Sequence, residues 1–427
     1  MGLGNRITHI LIIFFMTITM QKLLQAYDNA HFYRALFFSG EPRLEKKHLS
    51  TFDTLVCGGS SFSGLDKCGN KTFVLDIYGA HNMQFLGKNL PKNDNGNRES
   101  DNILNQLLQI PLRDTFGQIS FFGEFSTWEI VFSYIKNFKK GFFGQIHIPV
   151  RKLEIFPVSY YDLSPDDQIE PNSRNLVWRE FLEKFHYILR DFDLCIDNFC
   201  ASSIGDTSLV VGWTKNYENT SYLDFIDGTI KGGISLPTGK QKNEDRAFSM
   251  PLGYNGHIGL NISGNLALGL YEWVTMGIYT DVTFFNKKTK SRRIKTAIRQ
   301  SGLIKLAKAN TTIKKGNLYN AGFFLKADHF FLGLSFIFGY TFCQKQNDHL
   351  TFCQTDCFDR SIANNDETLR KWRMHTIHFL LEYDFTREEH RFGPRISAFY
   401  NHVAGGKRII KTDTGGVGFG LEIAWNL

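Results

Sequence analysis

The feature that most constrains this chain is an alternation of side-chain character sustained over runs far longer than an ordinary strand. In GHIGLNISGNLALGL, Ile258, Leu260, Ile262, Leu266, Leu268 and Leu270 fall on one face, while His257, Gly259, Asn261, Ser263, Asn265 and Gly269 fall on the other. Val274, Met276, Ile278, Val282 and Phe284 repeat the pattern against Thr275, Gly277, Tyr279, Asp281 and Thr283. Phe330, Leu332, Leu334, Phe336, Phe338, Tyr340 and Phe342 do so again, mainly against small residues. A period of two means a strand whose faces meet different surroundings. Soluble strands average about five or six residues; these runs match the ~10-residue tilted strand that crosses a bilayer. In lipid the apolar face turns outward and Gly, Ser, Asn and charged residues turn inward. The sheet must then close on itself, because lipid offers no partner to an open edge.

From residue 117 onward the pattern predicts twelve strands, near 117–125, 128–138, 141–160, 207–217, 222–236, 256–270, 273–286, 318–328, 330–343, 372–386, 394–403 and 415–427. Candidates near 50–62 and 71–87 would raise the count to fourteen. Short links near 218–221, 271–272, 328–329 and 386–392 alternate with long ones near 161–206, 237–255, 287–317, 345–369 and 404–414. Short periplasmic turns and long external loops give that rhythm, and it places both termini on the periplasmic side. The fold class read here is all-β, a transmembrane antiparallel β-barrel of about 12–14 strands over residues 117–427. Residues 27–116 form an N-terminal segment, either a lumen plug or the first two strands.

Composition agrees. Aromatics make up 15% of the 427 residues, with 38 Gly against 10 Pro, a mixture that suits bulky-faced sheets. Mean hydropathy is −0.22, and a single N-terminal segment approaches the apolarity of a membrane helix, which excludes a multi-helix membrane protein. Residues 1–26 read as a secretory signal peptide. Arg6 supplies the positive start, Ile10 to Met16 the apolar run, and Leu24 and Ala26 the −3 and −1 positions of a cleavage site before Tyr27. The alternative is a retained anchor, for which the run is short. No Cys follows the cleavage site, which argues against a lipoprotein.

Signal peptide, alternating strands and the final GVGFGLEIAWNL together resemble bacterial outer-membrane β-barrel proteins. The resemblance is one of pattern and covers residues 117–427. It implies export to the outer membrane and a last strand read by the barrel-assembly machinery, here Phe419, Leu421, Ile423, Trp425 and Leu427, with Leu427 standing where Phe is usual. GGISLPTGK and PLGYNGH are also similar to segments of channels of the hydrophobic-compound-transporter type, a likeness that transfers no functional residue.

Strand parity then nominates the pore lining: Gln145, His147, Arg151, Lys231, Asn261, Asn265, Asp281, Asn320, Lys326, His378, Glu382, Asp384, Arg395, Asn401 and Glu422. One bulge would turn several of them to lipid. Within loop 161–206, Phe181, Phe185, Ile188, Leu189 and Phe192 form the apolar stripe of a helix, flanked by acidic residues that include Asp191 and Asp193. The stripe either restricts the pore from the mouth or packs on other loops. Loop 287–317 is strongly basic, from Lys287 to Lys315, with Ile294, Ile298, Leu303 and Leu306 at loose helical spacing. It suits lipid phosphates, attraction of anions, or plain solvation; nucleic acid is not an expected partner of an exported barrel. Trp128, Trp213, Trp273, Trp372 and Trp425, with Tyr217, Tyr222, Tyr271 and Tyr383, sit near strand ends as an interfacial girdle would.

Seven cysteines form local groups. Cys57 with Cys68, and Cys195 with Cys200, are candidate disulfides in an oxidising compartment; Cys343, Cys353 and Cys357 leave one thiol over. Their C-x9-C-x3-C spacing lacks a zinc knuckle, so no metal or cofactor is expected. Catalysis finds no support. His257 and Ser263 lie ~20 Å apart along one strand at ~3.3 Å per residue, and His375 and His378 fall on opposite faces. The expected function is a passive channel for small solutes, its selectivity set by lumen geometry and wall polarity, with outer-membrane lipids around it and a monomeric or trimeric state. The rival is a structural or adhesive surface barrel whose loops bind a partner.

Overall fold

The computed structural model describes residues 49–91, 99–110, 116–164, 173–218, 222–271, 273–331, 333–353, 358–385 and 392–424. Twelve long strands form the wall: β1 (Leu49–Ser61), β2 (Gln118–Asn137), β3 (Phe142–Asp162), β4 (Thr207–Glu218), β5 (Phe225–Leu236) and β6 (Gly259–Tyr271). The second half is β7 (Val274–Phe285), β8 (Leu318–Phe331), β9 (Leu334–Lys345), β10 (Trp372–Asp384), β11 (Phe392–Lys407) and β12 (Thr414–Ala424). Each pairs antiparallel with its sequence neighbours. The ring closes where β1 pairs with β12, Leu49 opposite Ala424 through Gly58 opposite Gly415.

Twelve strands are present, but not the twelve first drawn from residue 117. The stretches near 117–125 and 128–138 are one strand of 20 residues, because SFFGEFSTWEIVF carries its alternation through Phe125–Thr127 without a turn. The wall begins at Leu49, so β1 belongs to the barrel and restores the count. The candidate near 71–87 is not a wall strand. Lys71–Phe73 joins a small external sheet with Ser63–Leu65 and Ile409–Ile410. The N-terminal connection runs on the long-loop side, not on the short-turn side. Residues 1–48, the proposed signal peptide among them, lie outside the described residues.

Burial follows parity around the ring. Phe52, Phe132, Ile146, Leu209, Val211, Ile230, Ile262, Leu266, Ile278, Phe323, Leu325, Phe336, Phe379, Ile396, Phe419 and Leu421 are exposed on the outside. Trp128 on the outer side, and Trp213, Trp273 and Tyr217 near the short turns, stand exposed at the edges of this band, where an amphipathic ring is most stable. Trp372 is an exception. It is buried with Met374, Cys343, Leu65 and Ile409 at the outer rim, because the Trp372–Asp384 strand puts its even-numbered residues inside.

β2 and β3, at 20 and 21 residues, exceed the bilayer and carry the chain well beyond it. Their projecting edges are covered: Phe199–Ile204 pairs with β3, and His81–Asn82 with β2. Covering an edge prevents pairing with other chains. On the inner face of this projection sits a second core, outside the membrane. It joins Phe121, Phe125, Leu153 and Ile155 to α1 (Glu99–Gln109) through Ile103, Leu104 and Leu107. It also takes in α2 (Ser173–Glu183) and α3 (Phe185–Asp191) through Phe181, Phe185, Ile188 and Leu189. The molecule is therefore a barrel carrying a folded cap. At the opposite end the β2–β3 turn is tight, with φ positive at Lys140 and Gly141; a Cβ on Gly141 would stand 2.1 Å from the Thr214 carbonyl oxygen.

Adjacent residues on β6 test the wall. Leu266 faces out and Asn265 faces in, so Leu266→Arg sets a charge in lipid at a cost of roughly 2–4 kcal/mol. We expect Leu266→Arg to lose most of the heat-modifiable folded form on unboiled gels, and Asn265→Arg to keep it. Equal folded yields would mean the faces are misassigned.

Candidate functional site: the lumen and its mouth

Eight strands enclose a space that side chains just fill, whereas sixteen leave a water channel. Twelve lie between, so what stands on the inner face decides how much of the lumen remains. Three layers occupy it. Nearest the short turns, Arg395 on β11 reaches Asp53 on β1 at 3.0 Å, Glu422 on β12 at 3.5 Å and Glu382 on β10 at 3.9 Å. Four strands meet at one guanidinium. The reach from β11 to β1 passes over β12 at Gly420, whose Cβ would stand 2.6 Å from Asp53. Lys326 and Asp328 pair at 2.8 Å on β8 at the same end.

The middle layer is apolar. Leu55, Cys57, Ala267, Tyr279, Phe324, Ile337, Leu380 and Phe399 form one cluster contributed by β1 and β6–β11. Inward rings lie over inward glycines of the next strand: a Cβ on Gly277 would meet the Phe324 ring at 2.3 Å, and one on Gly212 would meet the Phe143 ring at the same distance. Glycine there admits a flat aromatic that a side chain would push into the lumen.

Above the collar runs a polar layer. The Tyr279 hydroxyl bonds the Thr341 hydroxyl, which meets His378 Nε2 at 2.6 Å. His378 Nδ1 meets Asn401 Oδ1 at 2.7 Å, and Asn401 Nδ2 donates to Thr414 at 2.8 Å. A carbonyl oxygen only accepts, so Nδ1 carries the proton and Nε2 accepts from Thr341. The chain of hydrogen bonds then runs one way, from Tyr279 to Thr414. Beside it, Asn320 donates to Asp281 at 2.9 Å, and Thr283 donates to Asn261, which donates to Ser235.

All fifteen residues nominated by parity carry the inward parity of their strands. Arg395, Asp53, Glu382 and Glu422 come together, as do His378 with Asn401 and Asp281 with Asn320. Gln145 and Asp384 are buried on the wall, His147 Nδ1 meets the Ser133 hydroxyl at 2.8 Å, and Lys231 and Asn265 are half-buried. His375 faces out against the Tyr340 hydroxyl, away from His378. The inward face also carries apolar members that are not among the fifteen. Leu380 lies between His378 and Glu382, and Phe399 between Arg395 and Asn401; the same parity places them inside, but a polar lumen was assumed.

The mouth is held by charge. Arg151 Nε donates to Glu129 at 2.8 Å, both buried, and Nη1 donates to the Leu252 carbonyl at 2.8 Å, which fixes the β5–β6 loop over the opening. Asp206 accepts from the Gly239 and Tyr254 amides of that loop; burial raises its pKa. Phe181 and Phe185 do not enter the transmembrane lumen. They pack in the external core with Trp178, Phe121 and Phe248, and Phe192 packs at its edge. Asp191 accepts from Ser100, while Asp193 lies against Lys308 and gives its carbonyl to Arg293. The acidic flank of the helix thus meets the basic loop, through Asp193 with Arg293 and Lys308.

No disulfide joins any of the four cysteines considered for one. Cys57 sits in the collar and Cys68 on an exposed turn beyond the wall. The Cys195 backbone pairs with residues 245–247, whereas Cys200 on the strand beside β3 donates to Glu154. Separate elements carry each pair apart despite their closeness in sequence. Phe419 and Leu421 of the last strand face out; Trp425 and Leu427 lie outside the described residues, as does Cys357.

Solved structures place this architecture. An outer membrane channel from Pseudomonas putida F1 superimposes with a TM-score of 0.50 at 8% identity, over 90% of this chain and 99% of that one. A FadL homologue from Pseudomonas aeruginosa gives 0.29 at 8% identity over 95% and 100%, and the NanC porin 0.30 at 10% over 70% and 94%. The first likeness is one of fold; the other two are too distant to argue from. No protein-family model matches the chain, and no curated protein sequence does. The protein has the fold of a bacterial outer-membrane β-barrel channel.

His257, buried where the cap joins β6, gives a pH test. Burial first, and the Lys315 charge second, lower its pKa from 6.5 to about 4. Folded protein therefore keeps the ring neutral while unfolded chain takes up a proton below about 6.5. The stability His257 contributes is full above that pH and is lost as pH falls towards 4. The thermal midpoint should fall more steeply between pH 6.5 and 4 in the native protein than in His257→Gln; parallel curves would contradict it.

Proposed function

We propose that this protein is a passive outer-membrane channel whose lumen admits small solutes past the apolar collar, with the cap regulating access to the mouth. The observation that carries the reading is the collar itself. A water-filled porin wall is polar throughout, whereas five strands here turn Leu55, Phe324, Ile337, Leu380 and Phe399 into the lumen at one level. An apolar constriction sheds water and resists ions while offering a solvent to apolar molecules. The polar layers on either side keep the two ends wet. On this reading selectivity favours small uncharged solutes with apolar surface, and no chemistry is needed.

The second reading, a structural or adhesive barrel, is favoured by the packed interior and the large folded cap. Planar-bilayer recording with a vesicle uptake assay separates the two. For the channel, the native protein gives small ionic conductance yet speeds entry of a small apolar solute, and Phe324→Ser with Phe399→Ser raises ionic conductance several-fold. No flux of either kind, in the native protein or in the folded double variant, would leave the adhesive reading standing. Deleting residues 176–194 tests the cap. Faster solute entry in a folded barrel supports control at the mouth; unchanged entry assigns the helix to packing alone.

A further inference from the structure

The basic stretch that stands out in loop 287–317 is mostly consumed by the protein itself. Arg293 donates from Nε to the Glu244 carbonyl at 2.6 Å, from Nη1 to Lys305 and Leu306 carbonyls at 3.1 and 2.8 Å, and from Nη2 to Phe192 and Asp193 carbonyls at 2.8 and 2.7 Å. Lys308 pairs with Asp245 at 2.7 Å, Lys290 with Glu244 at 3.4 Å, and Lys305 with Asp366. These contacts stitch the β5–β6, β7–β8 and β9–β10 loops together.

The same loops also concentrate positive charge. Where the three loops meet is a cleft of about 70 Å³ whose charged lining is Lys242, Arg246, Arg292, Arg293 and Lys305 against Glu244 and Asp366. Five cations face two carboxylates, an excess of three positive charges, and both carboxylates already serve a lysine. Leu303, Leu350 and Leu369 complete the walls and keep the local dielectric low, so like charges repel more strongly than on an open surface. Burial depresses the Lys242 and Lys290 pKa values, Lys290 to about 8, with Arg292 acting in the same direction on both. A cluster so arranged is relieved by a counter-ion.

We propose that this cleft binds a phosphate-type oxyanion, either free phosphate or the phosphate of a lipid headgroup, held by Lys242, Arg246 and Arg292. The space equals about two waters at roughly 30 Å³ each, enough for one tetrahedral group and too little for a large polyanion. Guanidinium and ammonium donors suit phosphate oxygens, to which charge-assisted hydrogen bonds are short and strong. The ligand would tie three loops of the cap together, and anything bound to the folded form alone raises its stability.

The test is titration of inorganic phosphate into the full chain in uncharged detergent, read by calorimetry and by the thermal midpoint. Lys242→Met keeps the bulk and removes one of the crowded charges, so it folds without a new cavity. The expected result is saturable binding with a raised midpoint in the native protein, weakened about tenfold or more in Lys242→Met, as loss of one charged hydrogen bond implies. Arg299→Ala, exposed in the same loop but outside the cleft, should bind as the native protein does. Absence of saturable binding, equal binding by Lys242→Met, or equal loss in Arg299→Ala would overturn the proposal. Repeating the titration in phosphatidylcholine bilayers with and without phosphatidic acid separates the sources. Binding reduced by the acidic lipid identifies a headgroup; binding unchanged by it identifies free phosphate.

Discussion

Everything in this molecule depends on the hydrogen bonds between its first and last strands. Each backbone amide left unpaired in hydrocarbon costs several kcal/mol, and an open twelve-strand sheet would present two such edges. β1 and β12 remove both, with ten residue pairs from Leu49–Ala424 to Gly58–Gly415. Gly416, Gly418 and Gly420 face inward along this seam, and side chains there would strike the Val56 carbonyl, Ser397 and Asp53 respectively. The glycines let β1 and β11 reach toward each other across β12. The Arg395 cluster then ties β1, β10, β11 and β12 from within, so the seam is closed by backbone pairing and braced by charge.

Closure fixes the rest in turn. Once the wall is a ring of twelve, its inner face must fill a space of intermediate width, and rings laid over glycines do so at the collar. Polar side chains above and below the collar bond one another across strands, as in the chain from Tyr279 to Thr414 and the cluster at Arg395, which orders the inner wall. The long β2–β3 hairpin carries the same inward parity beyond the bilayer, where Phe121, Phe125, Leu153 and Ile155 face loops instead of lumen contents. One alternation thus builds both the collar and the cap.

The wall was legible in the sequence because a period of two is a local signal that burial in lipid enforces strongly. Val274–Phe285 and Leu334–Lys345 lie within a few residues of where alternation placed them. β1 was harder to place, since LSTFDTLVCGGSS is short of large apolar residues and its partner lies at the far end of the chain. The turn presumed between Phe125 and Trp128 was a misreading of a strand too long for the bilayer. Loop 161–206 showed its helical stripe, but amphipathicity names no partner, and α1, which supplies one, left no comparable mark. The apolar collar was hidden by the assumption that lumen means polar. The cysteine groups failed for the same reason as any argument from closeness in sequence: adjacent residues in a barrel leave by different strands.

The seam is the most direct place to test the account. Thr54 and Phe419 lie opposite one another on β1 and β12, so Thr54→Cys with Phe419→Cys, in a chain whose own cysteines are replaced by serine, places two thiols side by side on the outside of the wall. A short bifunctional thiol reagent applied to the folded protein should join them, giving a circularly linked species of altered mobility after boiling, while Thr54→Cys with Ile278→Cys, on the outer face of a strand away from the seam, stays unlinked. Efficient linkage confined to the first pair is the predicted result. No linkage in that pair, in protein that is folded and heat-modifiable, would contradict a ring closed by its first and last strands.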